Sequence, residues 1–129
     1  MLAGLLAGAG ATIANLLVAA IARALFQVPA DFRPFMALPI LAASLGGSLG
    51  AAGIFGVLER LTRNVHRSLA LVALAALLLS FYLPASLFDR TSPDLSAIGW
   101  DIRVTLMLMH IIVAWLSVRT LIRLRPTGA

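Results

Sequence analysis

Asn15, Ser44, Ser80 and His110 are polar side chains near the middle of four otherwise apolar stretches of this chain. Polar groups are costly in hydrocarbon, so each of the four is a candidate ligand-binding residue. Their chemistry is narrow. An amide, two hydroxyls and an imidazole can hydrogen-bond a small ligand or fix helix register, and an imidazole can also relay a proton or ligate a haem or chlorophyll metal. Bis-imidazole haem ligation needs a second histidine at matching depth, whereas His66 lies in an arginine-rich polar stretch. The chain has no cysteine, which removes disulfides, thiolate metal sites and thiol redox chemistry. Its five acidic residues all lie outside the apolar stretches. Asp89, Asp94 and Asp101 gather with Arg90 and Arg103, where mutual neutralisation is expected ahead of divalent-cation binding. No nucleophile–base–orienter set can be assembled, so no catalytic residue, metal or cofactor is assigned and the chain is not expected to be an enzyme.

The elements that must carry these residues follow from hydropathy. The chain is 61% hydrophobic and 12% charged over 129 residues, with a mean hydropathy of +1.02. A water-soluble domain of this size needs far more polar surface. A helix crosses the hydrocarbon core with roughly 20 apolar residues, and four stretches are long enough, at about residues 2–26, 35–58, 69–88 and 104–122. Short links favour antiparallel neighbours, giving an all-α, membrane-embedded up-down-up-down four-helix bundle, a single transmembrane domain over residues 1–129. The first stretch lacks a basic leader and is too long for a signal peptide, so it is expected to remain attached. Measured from the centre of each span at about 1.5 Å per residue, Asn15, Ser44, Ser80 and His110 all fall within roughly 5 Å of the bilayer midplane, on its outer half. One polar residue per helix at a shared depth forms a layer. Arg103, His110 and Ser117 recur every seven residues and mark an inward face of the last helix.

Arginine placement orients the bundle. All ten basic residues are arginine. Arg60, Arg63, Arg67, Arg119, Arg123 and Arg125 flank one side, against Arg23, Arg33, Arg90 and Arg103 on the other. The positive-inside bias then places both termini in the cytoplasm of a cell-membrane protein. On that side Arg60, Arg63 and Arg67 lie where anionic lipid headgroups would meet them. The net charge of +5 is a topology signal, because the chain lacks the aromatic-and-basic surface of a nucleic-acid module.

Helices in lipid associate through small residues. Gly46 and Gly50 form a GxxxG pair that Ala42 and Gly53 extend, and Gly4, Gly8, Ala11, Asn15 and Ala19 make a second stripe. These two faces are expected to meet inside one chain, the alternative being a homodimer seam. Pro84 is expected to kink the third helix near its outer end. Thr91 or Ser92 is expected to cap a short helix containing Pro93 and Asp94, with Trp100 at the membrane interface.

Several known classes are excluded. Small proton-coupled exporters need a membrane-embedded carboxylate and four-helix thiol oxidoreductases need cysteines. Fluoride channels need a phenylalanine–threonine–serine filter that Gly46–Ala51 does not accompany. The run Ala14-Asn15-Leu16, the glycine-rich second helix closing in Leu58-Glu59-Arg60, and Leu108-Met109-His110 in the fourth helix together resemble a family of uncharacterised bacterial four-helix membrane proteins frequent in actinobacteria. That resemblance implies the fold and singles out Asn15, Glu59 and His110, but it implies no activity. The function expected is therefore non-catalytic: helix–helix contact within the lipid bilayer, as an accessory subunit of a larger membrane complex or a homo-oligomer. The alternative is a binder or carrier of a small ligand near Asn15 and His110. Because the chain lacks cysteine, one cysteine introduced at Asn64 reports on orientation. It is expected to resist a membrane-impermeant maleimide in intact cells and to react once the cells are permeabilised; labelling of intact cells would invert the topology.

Overall fold

The computed structural model describes residues 1–26, 28, 30, 32–87 and 99–124, with the side chains of 82–87 outside that description. It is all-α. Four α-helices are present among the described residues: α1 (Leu2–Leu25), α2 (Ala37–Leu61), α3 (Val65–Leu87) and α4 (Trp100–Arg123), with one 3-10 turn at Arg33–Phe35. Helices α1, α2 and α4 are long and apolar enough to cross a membrane, and Val65–Phe81 of α3 is a shorter apolar helix.

The helices outrun the apolar stretches that signal them. Helix α2 continues through Glu59 and Arg60 to Leu61, and α3 starts at Val65, four residues before Leu69. The ten-residue link expected between them is therefore a three-residue turn, 62–64. Hydropathy locates where the apolar surface ends, whereas arginine and glutamate are good helix formers and carry the helix on into the polar zone. The Thr62 backbone leaves the helix in an extended conformation, with its N–H and Oγ1 both donating to the Leu58 carbonyl. Helix α4 likewise begins at Trp100 instead of Val104, with Asp101 in the first turn, where a carboxylate suits the helix dipole. At its other end α2 starts two residues later than the apolar run. Residues Arg33–Phe35, with Pro34 at their centre, form a separate turn. Pro84 lies within α3, and the capped helix expected around Thr91–Asp94 lies outside the described residues.

Helix α1 packs along both α2 and α4, and α3 leans on the other face of that pair. Two apolar clusters close the ends. One unites Ala19, Ala22, Ile40, Ile102, Leu106 and Met109 with Phe32 and Phe35, whose rings meet edge-to-face at 5.3 Å. The other unites Phe55, Val65, Leu69 and Leu121 beside the 62–64 turn. The distribution of polarity is inverted relative to a soluble bundle. Leu5, Ile13, Leu17, Ile21, Leu38, Leu74, Leu78, Leu79 and Leu108 are exposed, while Thr12, Asn15, Ser44, Ser48, Thr105 and Ser117 are buried. Such a surface needs an apolar solvent.

The two glycine stripes behave differently from expectation. Gly4 and Gly8 do meet α2, so closely that a Cβ at Gly4 would lie 2.8 Å from the Ala52 Cβ and one at Gly8 would lie 2.7 Å from Leu45 Cδ2. Their partners, however, are Leu45, Ser48, Leu49 and Ala52. Gly46, Gly50 and Gly53 have open space where a Cβ would be. The physical reason is that Ser44 and Ser48 claim the inward face of α2, which turns the GxxxG stripe outward. Replacing Gly8 with valine is therefore expected to destabilise the bundle by about 1–3 kcal/mol, the usual cost of overpacking. Gly50→Ala should be neutral or stabilise by up to about 1 kcal/mol through helix propensity. Denaturant titration in mild detergent, followed by circular dichroism, checks both.

Candidate functional site

Asn15, Ser44, Ser80 and His110, one from each helix, line a single cavity of about 380 Å³. Each reaches it through the periodicity of its helix. Helix α2 supplies Ile40, Ala43, Ser44, Gly47 and Ala51; α3 supplies Ala73, Ala76, Leu77 and Ser80; α4 supplies a stripe from Leu106 to Val118 that includes His110 and Ala114. The cavity exists because small residues dominate the walls between α2, α3 and α4. The larger side chains sit in the two end clusters, so the middle of the bundle is left unfilled. Lining residues Pro39, Ala43, Gly47 and Ala76 are exposed, which marks the opening along the seam between α2 and α3.

Helix α1 contributes only Asn15 to the wall, from behind the α2–α4 pair. The side chain is 3% exposed. Its amide nitrogen donates to Ser44 Oγ at 3.3 Å and to the Met109 carbonyl at 3.4 Å, so it ties α1 to both α2 and α4. The Met109 carbonyl can only accept, which fixes the amide orientation. Asn15 Oδ1 is buried and has no partner. An unpaired buried acceptor is uncommon in a folded protein.

His110 Nδ1 lies 2.7 Å from the Leu106 carbonyl one turn earlier. A carbonyl only accepts, so the Nδ1 that faces it carries a proton. The ring also stands edge-on to Phe81 at 6.4 Å between centroids. Ser80 donates to the Leu77 carbonyl at 2.7 Å, leaving its lone pairs as acceptors. Among the described residues no formally charged one lines the cavity.

Two further buried residues had not been singled out as polar site residues. Ser48 Oγ and Ser117 Oγ lie 2.9 Å apart and join α2 to α4 below Asn15, and both are almost wholly buried. The signal was present in the spacing. Ser48 follows Ser44 by one helical turn, and Ser117 follows His110 by two, so each shares a face with a residue already marked. Arg103, on the same seven-residue seam, is half-buried with an unpaired Nε. Arg60, Arg63 and Arg67 are exposed around the 62–64 turn, remote from the cavity. Asp89, Asp94 and Arg90 lie outside the described residues. Among the described residues no group of three metal-ligating side chains occurs.

Fold and site together define an all-α protein with helices of membrane-spanning length around a mostly apolar cavity carrying a few hydrogen-bonding groups. The chain belongs to a family of unknown function, DUF6069, which matches residues 1–126. No curated protein and no solved structure matches it.

The Ser48–Ser117 bond should be measurable as a coupling. Ser48→Ala and Ser117→Ala are each expected to destabilise the bundle by about 0.5–1.5 kcal/mol, and the double variant by less than the sum of the two. Additive losses in the same unfolding assay would mean that the two hydroxyls do not support each other.

Proposed function

We propose that this protein spans the cell membrane four times and holds a small, mostly apolar ligand within its bundle. The carrying observation is the cavity of about 380 Å³, to whose mostly apolar wall each of the four helices contributes one polar residue, Asn15, Ser44, Ser80 and His110. That volume lies in the range of small-molecule sites, which are mostly apolar with a few placed polar groups.

Four spans arranged up-down-up-down are supported by the side chains that share neighbourhoods. Residues near the end of α2 cluster with those at the start of α3, and residues early in α2 line the cavity with those late in α3. With both termini cytoplasmic, the exposed arginines of the α2–α3 turn face the anionic leaflet. The opening between α2 and α3 then faces lipid, so the ligand enters sideways from the membrane.

A second reading, helix–helix contact as an accessory subunit or homo-oligomer, draws on the outward stripe of Gly46, Gly50 and Gly53. Small residues on an exposed helix face let another helix approach closely. The two readings separate in native mass spectrometry of protein extracted gently from its own membranes. Ligand binding is expected to yield the chain carrying one reproducible additional small mass, lost in Ala114→Phe, which fills the cavity wall. Release together with larger subunits, and no small mass, would replace the first reading with the second.

A further inference from the structure

The shape of the cavity and the state of its polar groups narrow the ligand's chemistry, a step that rests on the reading of the cavity as a binding site. Its wall runs from Pro39 to Ala51 on α2 and from Leu106 to Val118 on α4. At about 1.5 Å per residue each stretch is about 18 Å long, so the cavity is a slot parallel to the helices. A volume of about 380 Å³ spread over that length gives a mean cross-section of about 21 Å². Carbon atoms in contact sit about 4 Å apart. The slot therefore admits one hydrocarbon chain in single file and is too narrow for fused rings. The hydrogen bonds of the wall are made within the protein. Asn15 bonds Ser44 and the Met109 carbonyl, Ser117 bonds Ser48, and all four side chains are almost wholly buried. Ser80 and His110 are half-buried and already bonded to the Leu77 and Leu106 carbonyls of their own helices. An occupant thus meets mainly alanine, glycine and aliphatic surface. A charged or multiply hydroxylated ligand would lose its hydration there with few partners in exchange. A hydrocarbon chain has no hydrogen bonds to lose.

We infer that the slot takes a single straight hydrocarbon chain, the tail of a membrane lipid. Length and depth agree. Half of a hydrocarbon core about 30 Å thick is the reach of one tail, about 15 Å, which a slot of about 18 Å accommodates. The exposed lining residues of α2 are Pro39, Ala43 and Gly47, towards its start. At the other end Ala51 and Val118 pack against the cluster of Phe55, Val65, Leu69 and Leu121. The tail enters through the α2–α3 seam from the end where α2 begins and stops against that cluster, with its headgroup left at the membrane surface.

Two photoactivatable probes test this with the protein in lipid nanodiscs: a phosphatidylcholine with a diazirine at the end of one straight acyl chain, and a sterol with a diazirine on its ring system. Cross-linked residues are mapped by mass spectrometry of peptides. The acyl probe is expected to label the wall at Ala73, Leu77, Val113 or Ala114, and also the lipid-facing Leu74, Leu78 and Leu108. The sterol is expected to label only the lipid-facing set. Ala114→Phe is expected to abolish the wall labels and keep the others. Should that variant fail to assemble, Ala43→Leu at the exposed mouth is expected to do the same. Wall labels that survive filling would be ordinary contact with surrounding lipid and would overturn the assignment. A sterol that labels the wall as strongly as the acyl chain would overturn the straight-chain assignment and leave the cavity reading intact. No wall label from either probe above the level of the filled variant would overturn both.

Discussion

Everything in this fold depends on the absence of a hydrophobic reason for its helices to associate. Lipid tails solvate leucine as well as a protein interior does, so burial alone gives no cohesion. What remains is close contact and hydrogen bonding. The chain uses both along α1: Gly4 and Gly8 bring the backbones of α1 and α2 together, and Asn15 then reaches past them to the backbone of α4. Ser48 and Ser117 repeat the device one layer further along, between α2 and α4. With small or polar residues at these contacts, the branched and aromatic bulk is displaced to the ends, where Phe32, Phe35, Phe55 and Leu121 close the bundle.

The same economy of size creates the cavity. Residues small enough to let α1, α2 and α4 approach are too small to fill the gap where α3 is held further away. Ala73 and Ala76 on α3 face Gly47 and Ala114 across it. A void walled by alanine and glycine loses dispersion contacts. Asn15, behind its inner wall, is satisfied on the nitrogen side of its amide and unpaired on the other.

Much of this was legible in the sequence, for a physical reason that also limits it. Length and hydropathy mark helices because a span must be long and apolar, and depth along a span follows from rise per residue. That is why Asn15, Ser44, Ser80 and His110 could be placed in one layer before any coordinates. Rotation about each helix axis is a harder quantity. It depends on which neighbour competes for a face, and the glycine pattern alone pointed Gly46 and Gly50 inward, where Ser44 and Ser48 in fact sit. Helix ends were misjudged for a related reason: Glu59, Arg60, His66 and Arg67 end the apolar surface without ending the helix. Which of the nearby partners His110 takes, here the carbonyl of Leu106 in its own helix, is a matter of rotamer and distance that spacing does not encode.

The seam between α2 and α3 has a consequence for how such a site would be measured. A pocket whose mouth lies in the hydrocarbon samples solute dissolved in the membrane, not solute dissolved in water. Occupancy of the proposed site would therefore follow the mole fraction of ligand in the lipid, where an apolar compound concentrates by partitioning before it meets the protein. An affinity referred to the aqueous phase would change with the lipid-to-protein ratio even though nothing in the site had changed. The natural unit for such a site would be ligand per lipid, and by that measure a weak one could stay full.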